Sequence, residues 1–105
     1  MGLFRLLFNN INKNLQAYQN TPGAVLLDVR ERDEYTAGHI PGSVNLPLSA
    51  LVGQGSVPYG KNTPLYVYCH SGARSSRAAA VLRSRGYQNV QNIGGIAAYT
   101  GEVEV

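Results

Sequence analysis

A chain of 105 residues carries one core, and its 44% hydrophobic and 14% charged content excludes a disordered protein. The formal charge of +3 arises without any block of five like charges, so no nucleic-acid partner is expected. A single cysteine excludes an internal disulfide framework and argues against a cysteine-ligated metal site; it fits a reducing, cytoplasmic compartment, and neither a metal nor another cofactor is expected.

Residues 1–10 read as a short helical extension ahead of one domain spanning 11–105. The apolar run Met1–Phe8 is interrupted by Arg5 and closed by Asn9-Asn10, which is too short for a membrane span. It lacks the regional order of a signal peptide, and Leu6 stands where a myristoylation motif requires Ser or Thr. An amphipathic helix lying on the domain is the expectation, with no integral membrane segment.

Ile11 and Asn12 read as a very short strand ending at a helix N-cap. A short helix follows, with Leu15, Ala17 and Tyr18 as its apolar side. Asn20-Thr21-Pro22-Gly23 stops it. Ala24–Val29 is a short apolar run of the kind buried on both faces of a sheet, and Asp28 sits near its carboxyl end. Arg30–Tyr35 is charged and helix-permissive, ending at Gly38. His39-Ile40-Pro41-Gly42 is a turn, because proline pushes Ile40 out of the helical region.

Ser43–Leu46 is a further short strand, Pro47–Leu51 one helical turn, and Val52–Pro64 a loop. Leu65–Tyr68 is the central strand. Arg74–Arg85 is a helix whose Ala78-Ala79-Ala80 run favours close packing on a sheet, with Gly86 as its C-cap. Asn89–Ile93 is the last strand, Gly94-Gly95 opens a turn, and Gly101–Val105 is a loose tail. Strands and helices alternate throughout, which predicts an α/β domain with a parallel sheet covered on both faces.

The chemistry concentrates where the central strand runs into Cys69-His70-Ser71-Gly72-Ala73-Arg74-Ser75. A thiol at a strand-to-helix turn is surrounded by backbone N–H groups, which stabilise a thiolate and receive anions. Arg74 is expected to face this pocket. Such a thiolate attacks sulfur, phosphorus or arsenic centres and can carry a terminal sulfur as a persulfide. The competing reading is a buried structural cysteine. The small, polar, glycine-bearing turn and the arginine after it favour the reactive thiol.

This loop, together with Leu27-Asp28-Val29-Arg30, Gly38–Leu48 and Gly94-Gly95-Ile96, resembles the rhodanese family of sulfurtransferases over nearly the whole stretch from Ile11 to Gly101. The resemblance implies a small α/β domain with a five-stranded, mostly parallel sheet and helices on both faces. It implies that Cys69 becomes a persulfide, taking sulfane sulfur from a small anionic donor such as thiosulfate and passing it to cyanide or a thiol, with a sulfur-relay protein as a further partner. His70, Ser71, Gly72, Ala73, Arg74 and Ser75 then form the loop that holds donor or persulfide. In the related phosphatases five residues separate cysteine from arginine; here four do, a tighter ring that resembles the sulfurtransferase type. A non-catalytic binding or regulatory module is the alternative, and a phosphatase or arsenate reductase a third.

Asp28, Arg30 and Glu34 are expected to brace the strand end beneath the loop, with Arg30 and Glu34 meeting at helical i, i+4 spacing. His39 is expected to hydrogen-bond near Asp28. His70 is not made a general base, and the post-loop arginines Arg77, Arg83 and Arg85 read as a solvated face. Tyr99 stands where the family often has tryptophan.

Overall fold

The computed structural model describes residues 10–105, so all but Asn10 of the expected N-terminal extension lies outside the described residues. In chain order the elements are α1 (Ile11–Gln19), β1 (Val25–Asp28), α2 (Arg32–Ala37), β2 (Val44–Asn45), α3 (Leu48–Val52), β3 (Leu65–Cys69), α4 (Ala73–Ser84), β4 (Val90–Gly95) and a 3-10 turn over Ile96–Ala98. The strands form one sheet in the order β2-β1-β3-β4, and every pairing is parallel.

Four strands are present among the described residues where five were expected. The difference lies at Ile11. The Asn10 side chain accepts the Lys13 N–H at 3.2 Å, which caps α1 and makes Ile11 its first residue. Ile11 and Leu15 then share one helical face, and both are buried against the sheet.

Alternation along the strands divides the core in two. Leu27, Val67 and Cys69 point to the face covered by α3 and α4, where they meet Leu51, Ala78, Ala79 and Leu82. Leu26, Tyr66 and Tyr68 point the other way, against Ile11 and Leu15 of α1. The small side chains at Ala78 and Ala79 let α4 lie close to β3, which fixes the helix N-terminus beside Cys69.

Two expectations at the C-terminal end are corrected. Gly94 and Gly95 belong to β4 and pair with Tyr68 and Cys69, after a register shift that leaves Ile93 as an extra residue. Gly95 stays in the strand because the Cys69 loop lies directly on it: a Cβ there would sit 2.1 Å from the His70 carbonyl oxygen and 2.5 Å from Ser71 Cα. The tail is not loose either, since Glu104 and His39 exchange backbone hydrogen bonds of 2.9 and 2.8 Å in an isolated antiparallel bridge.

Arg83 and Arg85 do structural work where a solvated face was expected, while Arg77 is exposed. Arg83 donates to the Val90 carbonyl at 2.7 Å, and Arg85 donates to the carbonyls of Gly55 and Leu51. The glycine-rich segment between α3 and β3 is thereby fastened to α4. Leu82 is fully buried between α4 and the sheet. Its truncation in Leu82→Ala is predicted to lower unfolding free energy by about 2–5 kcal/mol; urea denaturation checks this, and an unchanged midpoint would contradict the packing described.

Candidate functional site

β3 delivers Cys69 to the carboxyl edge of the sheet, where the residue is 1% exposed. Gly72 takes φ +102°, a conformation open to glycine, and from there the chain enters α4 at Ala73. No side chain caps this helix, so its first N–H groups are free to serve another acceptor. That acceptor is the sulfur. Sγ receives the Gly72 N–H at 3.0 Å, the Ser75 N–H at 3.3 Å and the Ser75 hydroxyl at 3.4 Å.

Burial alone pushes the Cys69 thiol up. The Ser75 hydroxyl and the amides of Ser75, Gly72 and Ser71 outweigh it and hold the thiol below its ordinary value. The thiolate form is therefore favoured relative to a free cysteine although the residue is buried. Donors converging on one sulfur are the setting that stabilises a thiolate, whereas apolar surroundings raise a buried thiol's pKa.

Arg74 does not enter this cradle, contrary to expectation. Its guanidinium makes a forked pair with Glu34 of α2, at 2.6 Å to Oε1 and 2.9 Å to Oε2. Glu34 is thus matched to Arg74 and not to Arg30, which precedes α2 and so has no i, i+4 partner on it. The pair ties the first turn of α4 to α2, and its cation still favours charge on Cys69. Arg74 pulls the Glu34 carboxyl down to about 2.

Asp28 and Arg30 do meet, but at the end of β1 on the Tyr68 face of the sheet, opposite the face that carries Cys69. Asp28, fully buried, takes Arg30 Nη2 at 2.7 Å and the Arg30 backbone N–H at 2.9 Å. The same guanidinium donates to the Gly38 carbonyl at 2.7 Å, joining the end of β1 to the end of α2. His39 stands apart from this network. It stacks on Tyr35 at 3.8 Å, its Nδ1 lies 2.8 Å from the Tyr35 carbonyl, and its Nε2 faces Glu104 at 3.8 Å. The C-terminal bridge takes up His39 before it can turn toward Asp28.

His70 and Ser71 are exposed and line a cavity of about 280 Å³ with Gly95, Ala97 and Ala98. The Ala97 N–H holds the His70 carbonyl at 3.0 Å, so the 3-10 turn forms one wall of the opening beside the cysteine loop. A larger cavity of about 420 Å³ lies between α1 and Tyr99 and shares no lining residue with the cysteine loop. Asn92 was not singled out from the sequence, because a lone polar residue in a strand carries no motif. It proves to bond both Ser75 and the Gly72 carbonyl.

Two outcomes follow from this geometry. The folded Glu34 carboxyl titrates near 2 and an unfolded one near ~4.3, so the unfolded chain binds the proton more readily. The pair's contribution to stability is complete above about pH 4.3 and is lost as pH falls toward 2. Glu34→Gln is predicted to flatten the stability profile in that window, read by thermal melts against pH; parallel profiles for the two proteins would contradict the pairing. Gly95→Ala is predicted to displace the loop, costing about 1–3 kcal/mol and raising the pH midpoint of Cys69 alkylation, and an unmoved midpoint would count against the close approach.

The model of the rhodanese-like domain matches residues 12–102 of the chain. The thiosulfate sulfurtransferase PspE of Escherichia coli (strain K12) is 36% identical over 72 residues, covering 67% of this chain and 68% of that protein. YrkF of Bacillus subtilis (strain 168) is 39% identical over 80 residues, 75% of this chain, but the chain spans only 43% of its length. Among solved structures, the human single-domain sulfurtransferase TSTD1 superposes with a TM-score of 0.69 at 30% identity, covering 79% of this chain and 85% of that one. With its parallel α/β sheet and its cysteine loop at the strand ends, the chain belongs to the rhodanese-like domain family.

Proposed function

We propose that the protein is a sulfurtransferase that works through a Cys69 persulfide. The observation that carries this reading is the convergence of the Gly72 amide, the Ser75 amide and the Ser75 hydroxyl on Sγ, which lowers the thiol's pKa despite burial. Similarity to a named thiosulfate sulfurtransferase supports it.

In the first step the Cys69 thiolate attacks the outer sulfur of a thiosulfate-type donor. The donor's S–S bond breaks, sulfite leaves with the electron pair, and a Cys69 persulfide anion remains. In the second step cyanide or a thiolate attacks the terminal sulfur, and Cys69 departs again as thiolate. The helix amides that favour the thiolate also favour the anionic persulfide and the anionic donor. The sequence has no second cysteine, so the acceptor must come from outside the chain, as a small thiol, cyanide or a sulfur-relay protein.

His70, Ser71, Gly72, Ala73 and Ser75 form the wall of this site in our reading. Arg74 supports it through charge and helix placement and not by direct contact. Asp28, Arg30, Glu34 and His39 hold the surrounding elements. A cytoplasmic setting belongs to the same proposal, since the mechanism needs a reduced thiol; among the described residues no helix is long and apolar enough to cross a membrane.

Incubation with thiosulfate followed by intact mass measurement is predicted to show the gain of one sulfur atom, released by cyanide or a reduced thiol. Cys69→Ser should show no gain. A missing adduct on the native chain, or one that survives Cys69→Ser, would overturn the reading in favour of a binding module.

A further inference from the structure

Ser75 is fully buried and its hydroxyl has two claimants. Its Oγ lies 2.7 Å from Asn92 Oδ1 and 3.4 Å from Cys69 Sγ. A hydroxyl has one hydrogen, so it can be donated to only one of these at a time. Two backbone groups fix which way the Asn92 amide points. The Gly94 N–H, which can only donate, lies 3.1 Å from Oδ1, and the Gly72 carbonyl, which can only accept, lies 3.0 Å from Nδ2. Oδ1 therefore faces Ser75 purely as an acceptor.

While Ser75 donates to Asn92, its oxygen offers Sγ a lone pair. That suits a neutral S–H and opposes a thiolate. When Cys69 loses its proton to solvent, the favourable arrangement reverses and the hydroxyl hydrogen must turn from Asn92 to the sulfur. No covalent bond changes in Ser75 or Asn92.

We propose that Asn92 is a positioning residue that gates Cys69 by competing for the single Ser75 hydroxyl hydrogen. This inference rests on Cys69 being the reactive group, but its mark is the coupling between Asn92 and Ser75, which sulfur transfer by itself does not require. The strand geometry supplies the means. The extra residue at Ile93 shifts the register between the Val67–Asn92 and Tyr68–Gly94 pairs, so Gly94 is placed to hold Oδ1 while Gly72 holds Nδ2.

The charged surroundings do not supply the same effect. β4 has no titratable side chain from Val90 to Gly95. On α4 the guanidinium coupled to Cys69 is Arg74, paired with Glu34, while Arg83 is engaged at the far end and Arg77 points to solvent. Asp28, at the end of β1, is neutralised by Arg30. In the loop itself the titratable neighbour is the exposed His70, and on β3 it is Tyr68, whose hydroxyl faces Ser43 and Ile40 on the opposite side of the sheet.

The test measures the rate of iodoacetamide alkylation against pH for the native chain, Ser75→Ala, Asn92→Leu, Asn92→Ala and the Asn92→Leu/Ser75→Ala double variant. Asn92 is exposed, so both replacements are tolerable in volume, and circular dichroism confirms the fold of each. Ser75→Ala should raise the midpoint by removing a donor to the thiolate. Asn92→Leu and Asn92→Ala should lower it, raising the thiolate-to-thiol ratio about threefold to tenfold, which is up to one pKa unit. In the Ser75→Ala background the Asn92 effect should vanish. A rise in midpoint on replacing Asn92, or an equal shift with and without the Ser75 hydroxyl, would reduce Asn92 to a loop brace and overturn the proposal. Thiosulfate loading of the native chain is read in parallel: no sulfur adduct, alongside an intact Asn92–Ser75 coupling, would remove the sulfur-transfer reading and leave the gate standing.

Discussion

A thiol held below its ordinary pKa although it is buried sets the terms for the rest of this structure. Burial opposes the thiolate, so enough donors must be assembled around one atom to reverse that tendency. The chain finds them in the backbone. Starting α4 without a side-chain cap leaves its first amides free, and the left-handed turn at Gly72 swings them onto Sγ. The loop can curl this tightly because β4 offers it bare backbone at Gly95.

The arginines show how this choice spreads through the fold. Arg30 is spent on Asp28 and the Gly38 carbonyl, Arg74 on Glu34, Arg83 and Arg85 on carbonyls. Each joins two elements of the fold through hydrogen bonds donated by its guanidinium. Arg74–Glu34 holds the helix whose N-terminus serves the sulfur, and Asp28–Arg30 holds the strand end next to it. The positive character at Cys69 thus comes from the Ser75 hydroxyl and the oriented amides, with the Arg74 charge as a supplement. Amides fixed by a helix need little reordering when charge develops on the sulfur.

Much of this was legible in the chain because the signals were local. The apolar run ending at Cys69 and the small residues after it specify a buried strand, a tight turn and a helix in that order. The failures came where partners far apart in sequence decide. Ile11 is the local exception: it carries strand propensity, but its neighbour Asn10 caps a helix over it. Glu34 has correct spacing to Arg30, but Arg74 reaches it from 40 residues away. His39 sits near Asp28 in sequence, and Glu104, 65 residues further on, captures its backbone. Gly95 looked like a turn because its reason for being glycine is the loop of another segment. Asn92 gave no sign, since its two contacts exist only once β4 and α4 are side by side.

The shape of the cradle bears on which anion it suits. A transferring phosphoryl group spreads its charge over three oxygens and is best met by several donors set apart, with a guanidinium fork among them. Here the donors converge on a single atom, and the Arg74 fork is already closed on Glu34 at 2.6 and 2.9 Å. Opening it would break a charge-assisted pair that also anchors the start of α4. A single terminal sulfur bonded to Cys69 carries no set of oxygens for such a fork to meet. The short spacing between Cys69 and Arg74 and the engagement of that arginine with Glu34 are the two features of the loop that support the proposed sulfur transfer over phosphoryl transfer.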